Sequence, residues 1–312
     1  MLSCCQRQNQ AAGASPKPLL VYCLLWLFAS GGCGMKPVQL DVQGIDDPLP
    51  VEAILDTAAG TVISFDQLID QLVPARVIYV GERHDSVAHH QIQLRIIKGL
   101  IQRGLPVRVG MEMFDHTYQP RLDQWSRGEL TYEAFLKQTH WYANWRFSDT
   151  LYKDILLYIR DNRLTLYGLN VPFHLPRKIA IGGLDSLTPA ERALLPEQVD
   201  TSNADHRAYV EEIFKMHNAR GRDDFDNFYA AQCVWEDGMA NAIAKNLGGQ
   251  TMVVLVGNGH IIKHFGIPDR AFKQTGAPFR TVYLAAPGRT VSRQDGDFIW
   301  VTPPDPSGNP RR

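Results

Sequence analysis

Two copies of the motif Gly-x-x-His, each directly after a short Val-rich segment, constrain the fold more than any other feature of this sequence. The first runs from Gly81 to His84 and the second from Gly257 to His260. One such motif arises readily by chance, but two in the same position after a strand-like segment form a specific signal. In an open parallel sheet, the residues that follow the strands lie at the edge where these folds bind ligands. The pair therefore predicts an α/β fold with one crevice that contains both histidines.

The rest of the chain alternates between strand and helix patterns. Short apolar runs predict core strands at 77–80, 106–111, 164–169, 253–256, 281–284 and 298–301. Apolar residues at helical spacing predict helices at 64–72, 86–103, 149–160, 204–220 and 223–246. A strand, a helix and a second strand in succession form a right-handed βαβ unit. We therefore predict a mostly parallel sheet flanked by helices, with a helical lobe inserted between sheet strands.

The first 33 residues have the pattern of an export signal. The apolar run at 19–28 is shorter than the 20 or so residues of a transmembrane helix, and it precedes small residues and Cys33. A cysteine after two glycines resembles the lipobox of bacterial lipoproteins, in which the cysteine is lipidated, although Ser30 stands where a Leu is usual. Ordinary cleavage near Cys33 and an uncleaved N-terminal anchor are the alternatives.

The predicted organisation is one folded domain between two less ordered ends. We expect a tether at 34–50, an α/β domain at 51–302 and a disordered tail at 303–312. Within the domain, helical insertions are expected at about 114–148 and 185–246. The formal net charge of -1 provides no basic surface for nucleic acid, so no nucleic-acid partner is expected.

Ionisable side chains crowd the predicted strand ends. Glu82, His84, Glu112 and His260 are the catalytic candidates if the protein is an enzyme, because an imidazole beside a carboxylate can act as general acid and base. His84, Glu112 and His260 are also candidate ligands of a divalent metal, although the chain has no HExxH motif. Each group has a purely structural alternative, such as Glu82 capping the helix that follows.

A cluster of aromatic residues at 114–148 predicts a second kind of site. Such residues usually cover a core, but beside polar strand ends they can also enclose a flat apolar ligand. A tetrapyrrole fits this description, and its iron would take a tyrosine or histidine as axial ligand. The candidates for that ligand are Tyr152, Tyr167, Tyr142, His140, His174 and His217. Covalent c-type attachment is excluded because the chain has no CxxCH motif.

Several motifs, taken together, resemble the ChaN family of heme-binding bacterial lipoproteins, which are associated with iron uptake. They are Gly-Glu-Arg-His-Asp at 81–85, His-His-Gln at 89–91, Gly-Met-Glu-Met-Phe at 110–114, Trp141, Trp145, Leu-Asn-Val-Pro at 169–172, Gln232, Trp-Glu-Asp at 235–237, Gly-Asn-Gly-His-Ile at 257–261 and Gly-Ile-Pro at 266–268. The resemblance runs from about residue 77 to about residue 270. The wider superfamily includes erythromycin-esterase-like proteins and the Tiki proteins, which are reported as metal-dependent proteases.

The resemblance implies an α/β fold with a helical lobe, heme as ligand, and lipid anchoring at the outer membrane. An outer-membrane heme or iron receptor and a homodimer are the partners expected for such a protein. The residues expected around heme are Tyr152, Tyr167, Trp145, His90, Asn170, Gln232 and Asp237. Glu236 is a departure, because a simpler Trp-Asp pair is expected there.

We favour a heme-binding lipoprotein of the cell envelope, acting in heme or iron acquisition, over an enzyme. The alternative is a hydrolase that uses the paired Gly-x-x-His crevice, with or without a divalent metal. Since that crevice is narrow and polar whereas heme is broad and apolar, we expect heme to lie against the aromatic lobe, away from His84, Glu82 and Glu112. Tyr152 is the preferred iron ligand, because tyrosinate suits ferric iron.

The predicted lipidation of Cys33 can be tested directly. Cys33→Ala should release the protein into the soluble periplasmic fraction and abolish acyl labelling, because it removes the thiol that would carry the lipid. The measurement is metabolic labelling with a fatty acid, combined with membrane fractionation. Unchanged membrane association, with no label on the wild-type protein, would contradict the lipoprotein assignment.

Overall fold

The computed structural model of the chain describes residues 38–216 and 224–304. The predicted signal peptide with Cys33, the start of the predicted tether, His217 and residues 305–312 of the predicted tail lie outside the described residues. Within the described ranges, no helix combines the length and the hydropathy that a membrane span requires.

An eight-stranded sheet forms the centre of the fold, in the order β5-β4-β12-β10-β6-β9-β7-β8. The strands of the described residues are β1 (Gln39–Leu40), β2 (Val42–Gln43), β3 (Leu49–Pro50), β4 (Ile54–Asp56), β5 (Thr61–Ile63), β6 (Val77–Glu82), β7 (Val107–Asp115), β8 (Leu166–Asn170), β9 (Thr251–Gly257), β10 (Phe279–Ala285), β11 (Val291–Ser292) and β12 (Phe298–Val301). The run from β12 to β8 is parallel throughout, and β4 and β5 add an antiparallel hairpin at one edge. The predicted fold class is confirmed.

Helices cover both faces of the sheet, as expected when parallel strands are joined by crossover connections. The helices of the described residues are α1 (Phe65–Leu72), α2 (Val87–Gln102), α3 (Gln119–Ser126), α4 (Tyr132–Gln138), α5 (Trp141–Asn144), α6 (Lys153–Asp161), α7 (His174–Gly182), α8 (Pro189–Arg192), α9 (Ala204–Met216), α10 (Phe225–Asn246) and α11 (Ile267–Thr275). The insertion between β7 and β8 carries α3 to α6, and the insertion between β8 and β9 carries α7 to α10.

The register of β6 and β9 brings the two Gly-x-x-His motifs to the same level. All residues of both strands are buried, which suits their Val- and Ile-rich sequences. In the parallel pair, Gly81 lies opposite Val256 and Glu82 opposite Gly257. Because β7 pairs with the other side of β9, its last residues reach the same edge. The sheet therefore places the ends of three strands beside one another.

Part of the predicted tether is folded. In 38–50, β1 pairs with β3 and β2 pairs with β11. Leu40, Val42 and Leu49 are buried against Ile299 and Val301 of β12. The tether prediction is wrong for these residues, because their apolar side chains cover the end of the sheet that β12 and its neighbours would otherwise expose.

Close packing of β8 against β7 can be tested at Gly168. A Cβ at this position would lie 2.6 Å from the Asp115 carbonyl oxygen, which is backbone and cannot move aside. Gly168→Ala should lower the free energy of unfolding by about 1–3 kcal/mol, measured by urea denaturation. Gly249→Ala is the control, since a Cβ there meets nothing within 4 Å. Equal stability of the two variants would contradict the packing described here.

Candidate functional site

The four candidate catalytic side chains meet at the ends of β6, β7 and β9. His84 Nδ1 lies 2.7 Å from Glu82 Oε1, and His260 Nε2 lies 3.5 Å from Glu112 Oε1. The second oxygen of Glu112 accepts a hydrogen bond from the Gly257 backbone N–H at 2.7 Å. The predicted convergence of these residues in one crevice is confirmed.

Gly257 gives the ring of His84 its place next to Glu112. A Cβ at Gly257 would lie 3.0 Å from His84 Cε1 and 3.5 Å from Glu112 Oε2. A larger residue would therefore push the imidazole away from the carboxylate. The first glycine of the second motif therefore leaves the space that the histidine of the first motif occupies.

The row of paired charges continues beyond the predicted residues. His260 Nδ1 lies 3.4 Å from Glu236 Oε1, and Glu236 Oε2 lies 3.1 Å from His206 Nε2. Arg270 adds a guanidinium nitrogen 3.4 Å from the same oxygen of Glu236. Sequence reasoning missed Glu236 and His206 as members of the site. The signal for Glu236 was its departure from the family pattern, together with its position one helical turn after Gln232 in α10.

The paired charges keep these buried groups ionised. Burial disfavours the charged form of His260, but Glu112 and Glu236 outweigh it and raise its pKa to about 10. Burial likewise opposes ionisation of Glu236, yet His206 and His260 lower its pKa to about 2. For Glu112, too, burial is outweighed, and His260 and His84 hold its pKa below the usual range. The crevice is therefore a layer in which buried carboxylates alternate with imidazole rings.

Tyr152, the predicted iron ligand, supports this layer through its hydroxyl group. Its side chain is fully buried, and its hydroxyl donates a 2.6 Å hydrogen bond to Glu82 Oε1. Burial and the Glu82 charge raise the pKa of Tyr152 well above its usual range, which disfavours the tyrosinate form. Gln93 donates a further hydrogen bond of 2.8 Å to the other oxygen of Glu82. Tyr152 and Gln93 thus hold the carboxylate that orients His84.

Two other residues expected around heme lie at opposite ends of β8. Tyr167 stands near the start of β8, where its hydroxyl accepts a 3.4 Å hydrogen bond from Arg108. This is the edge of the sheet opposite the crevice. Asn170 is fully buried and donates a 3.1 Å hydrogen bond to the Glu112 carbonyl oxygen. Both side chains are thus engaged in hydrogen bonds within the protein, and their roles as heme contacts remain predictions.

His90 and Asp237 also have structural positions. His90 is buried, with Nε2 3.3 Å from Glu82 Oε2 and its ring 4.1 Å from the Tyr152 ring. Asp237 accepts a 2.6 Å hydrogen bond from Arg270. Both side chains are engaged by charged or polar partners within the protein, and their roles as heme contacts remain predictions.

A cavity of about 350 Å³ opens beside His84 and is here called the aromatic cavity. Five aromatic side chains dominate its lining, namely Trp145, Phe147, Phe173, Phe228 and Trp235. They come from the segment after α5, the residue before α7, and α10. Polar and charged residues that also line it are His84, Glu112, Asn144, Gln232, Arg146 and Arg177. Trp145 and Gln232, two of the expected heme contacts, thus line the aromatic cavity.

A second cavity of about 470 Å³ adjoins the aromatic cavity and is here called the polar cavity. The two cavities share His84, Phe228, Gln232 and Trp235. The polar cavity adds Tyr209, Val210, Ile213, Gly257, Gly259 and His260. Together they give the crevice an apolar part and a polar part that meet at the ring of His84.

The described residues contain no group of three or more His, Cys, Asp or Glu side chains arranged to hold a metal ion. His84, Glu112 and His260, the predicted metal ligands, are therefore not arranged as such a group in this structure. The ring nitrogens of His260 lie near carboxylate oxygens, with Nε2 3.5 Å from Glu112 and Nδ1 3.4 Å from Glu236.

The charge layer predicts an unusual titration of His260. Its pKa is raised from 6.5 to about 10, so the stabilisation it provides is complete below pH 6.5 and is lost as pH rises through 10. In Glu236→Gln the pKa of His260 should fall toward 6.5, followed by NMR of the imidazole. Removing one partner of a buried pair should also lower the free energy of unfolding by about 3 kcal/mol.

Glu129→Gln is the control for this prediction, because Glu129 forms an exposed pair with Arg127. It should leave the titration of His260 unchanged. Titration of His260 near pH 6.5 in the wild-type protein would contradict the account of the charge layer.

Comparison with known proteins places the fold and its motifs in a family. The family model described as "Haem-binding uptake, Tiki superfamily, ChaN" matches residues 68–271. The structure of ChaN of Campylobacter jejuni, which describes cofacial heme binding, is similar with a TM-score of 0.64 and 21% identity, over 79% of this chain and 95% of that chain. No curated protein sequence matches the chain significantly.

More distant structures share less of the fold. The erythromycin esterase EreC in its open conformation has a TM-score of 0.44 and 14% identity, over 76% of each chain. The type III effector HopBA1 has a TM-score of 0.43 and 12% identity, over 76% of this chain and 92% of that chain. The family model, by contrast, covers well over half of the sequence and includes both Gly-x-x-His motifs. This chain therefore belongs to the ChaN family of haem-binding uptake proteins in the Tiki superfamily.

Proposed function

We propose that this protein binds heme in the aromatic cavity beside His84. The observation that carries the proposal is the lining of that cavity, in which five aromatic side chains face a space of about 350 Å³. Ligand sites of this kind are concave and mostly apolar, with a few polar groups, and measure about 300–1,000 Å³. Membership of a haem-binding family supports the same ligand.

The residues present suit the chemistry of heme. Heme is a broad apolar ring with an iron centre and two carboxylates, and bound heme would add that iron to the crevice. Aromatic side chains such as Trp145, Phe173 and Trp235 can stack against such a ring. The charge layer beneath them is internally paired, so the ring does not need to neutralise it. This placement keeps heme outside the narrow space between Glu82, His84 and Glu112.

Tyr209 is the tyrosine that we propose as the iron ligand in place of Tyr152. It lies on α9 and lines the polar cavity, which shares Phe228 and Trp235 with the aromatic cavity. Its hydroxyl has no hydrogen-bond partner among the described residues. Burial, with Asp295 and Glu236, raises its pKa to about 12, so the free protein holds a neutral phenol there. Tyrosine is an established axial ligand of heme iron.

We further propose that the protein is an envelope lipoprotein, anchored through Cys33 at the outer membrane, that acts in heme or iron acquisition. The apolar run followed by small residues and Cys33 supports the anchor. The word "uptake" in the family description supports the role. An outer-membrane heme or iron receptor and a second copy of the chain are the partners proposed with it.

Heme binding is favoured over the hydrolase alternative. The matching family is described by heme uptake and not by hydrolysis. In the crevice, His260 lies between Glu112 and Glu236, and its pKa of about 10 keeps the ring protonated. A protonated imidazole cannot accept a proton from water, so His260 is unsuited to the role of general base.

Titration with hemin tests the proposed site. The wild-type protein should bind hemin with a high-spin ferric spectrum. Tyr209→Phe should weaken binding by at least about tenfold and change that spectrum, because it removes the ligating oxygen and keeps the ring. Trp235→Ala should weaken binding without changing the ligand signature, since it removes a wall of the cavity.

Tyr158→Phe is the matched control, because Tyr158 lies on α6 beside Lys98 and lines neither cavity. Absence of hemin binding by the wild-type protein would contradict the proposed function. Wild-type affinity and spectrum in Tyr209→Phe would contradict only the assignment of the iron ligand.

A further inference from the structure

Asn258 belongs to the crevice but has no part in the proposed heme site. It opens the turn Asn258–His260, which follows β9 and carries the histidine of the second motif. Its side chain crosses the end of β6, where a Cβ at Gly81 would lie 2.0 Å from Asn258 Oδ1. That distance is far inside van der Waals contact. Only a glycine in the first motif therefore admits this side chain of the second motif.

The amide of Asn258 binds a strand that is not a neighbour of its own strand. In the sheet, β6 lies between β10 and β9. Asn258 Nδ2 donates a 2.7 Å hydrogen bond to the carbonyl oxygen of Leu284 in β10. Pairing between β10 and β6 ends at Val282 and Val80, so this carbonyl lies beyond the last pair. The side chain thus ties the second motif to β10 across the end of β6.

The contact at Gly81 has a counterpart in the second motif. The ring of His84 lies against Gly257, and the side chain of Asn258 lies against Gly81. Each motif therefore contains a glycine next to which a side chain of the other motif packs. These two contacts together are here called the interlock. A side chain at either glycine would displace a residue of the other motif, since close packing leaves no spare space.

The polar atoms of Asn258 indicate that the residue does more than fill space. Its Oδ1 is buried and has no hydrogen-bond partner among the described residues. An unpaired buried acceptor costs stability, which a leucine of similar size would avoid. The position therefore supplies the donor on Nδ2, and not only volume.

The turn that Asn258 opens determines where the ring of His260 lies. The Ile261 backbone N–H donates a 3.2 Å hydrogen bond to the Asn258 carbonyl oxygen and closes the turn. The Ile261 side chain also packs on Gly81, since a Cβ there would lie 2.8 Å from Ile261 Cδ1. Both ends of the turn are therefore held on β6. Between them, His260 is placed with its ring nitrogens near the two carboxylates described above.

We propose that Asn258 is a positioning residue that interlocks the two Gly-x-x-His motifs and sets both imidazole rings in the crevice. Among the described residues it hydrogen-bonds to neither ring. It acts through the turn that carries His260 and through Gly257, against which His84 packs. Because His84 lines both cavities, the interlock also fixes the wall at which they meet. The inference goes beyond heme binding, since every group in it belongs to the chain itself.

Asn258→Leu tests the assignment, because it removes the donor and keeps the approximate size of the side chain. Without added hemin, the imidazole N–H signals of His84 and His260 should both shift in NMR spectra at neutral pH. Their exchange with water should become at least about tenfold faster, because the rings are held less firmly. A residue with a purely structural role would lower the stability and leave the signals of the folded protein in place.

Asn246→Leu is the matched control. Asn246 Nδ2 donates a 2.8 Å hydrogen bond to the Ala242 carbonyl oxygen within α10. Its own carbonyl accepts a hydrogen bond from Arg108, near the start of β7 and away from the crevice. The variant should lower the stability to a similar extent, since it also removes an amide donor from a carbonyl. Both imidazole signals should remain unchanged.

A double-mutant cycle with Gly81 tests the interlock itself. Gly81→Ala should change the signal of His260, although the substitution lies in the other motif. In an Asn258→Ala background the same substitution should have a much smaller effect, because the atom that it displaces is absent. If Gly81→Ala does not fold, the comparison of Asn258→Leu with Asn246→Leu still decides the assignment.

Three results would overturn the inference. Unchanged imidazole signals in folded Asn258→Leu would show that the residue positions neither ring. A change confined to His260 would show that Asn258 orients only its own motif. Equal effects of Gly81→Ala in both backgrounds would show that the two motifs are independent. None of these measurements uses hemin, so an absence of hemin binding would contradict the proposed function and leave this inference intact.

Discussion

Charge pairing among buried glutamates and histidines is the interaction on which the ligand-binding edge of this protein depends. Glu82, Glu112 and Glu236 are all buried, and an unpaired carboxylate in such a place would cost several kcal/mol. The histidines of the two Gly-x-x-His motifs lie between these carboxylates. Pairing with carboxylates therefore fixes the positions of the imidazole rings, while apolar packing fixes the strands beneath them.

This charge layer separates a scaffold from a binding surface. Below it, the parallel strands are closely packed and buried, and above it the two insertions supply aromatic walls. His84 belongs to both parts, since Glu82 holds one side of its ring and the other side faces the cavities. The paired layer is nearly neutral, which suits an apolar ring placed above it.

The part of the site that follows from the strands was predictable from sequence. Parallel pairing brings the ends of β6, β7 and β9 to one edge of the sheet. The meeting of Glu82, Glu112 and His260 there does not depend on the structure of the insertions. The folded part of the tether also carried a signal, since Leu40, Val42 and Leu49 are apolar. It was missed because short strands give weak patterns and their partners lie far away in the sequence.

The part of the site built by the insertions was not predictable in the same way. Tyr152 lies directly before α6, close to its predicted position in the first turn of that helix. Its hydroxyl points into the protein, where it donates a hydrogen bond to the buried carboxylate of Glu82. No local pattern shows this, since the two residues are 70 positions apart. Similarly, Tyr209 reaches the crevice only because α9 packs on α10. The directions of such side chains depend on tertiary packing, which helical periodicity does not determine.

The central claim is that heme lies among the aromatic side chains above the charge layer. Its most direct test is a crystal structure of the hemin complex, with the iron located by anomalous scattering. We predict an iron position beside Trp145, Phe228 and Trp235, with the paired residues Glu82 and His84 unmoved. Iron bound between Glu112 and His260, or on a surface remote from both cavities, would contradict the account.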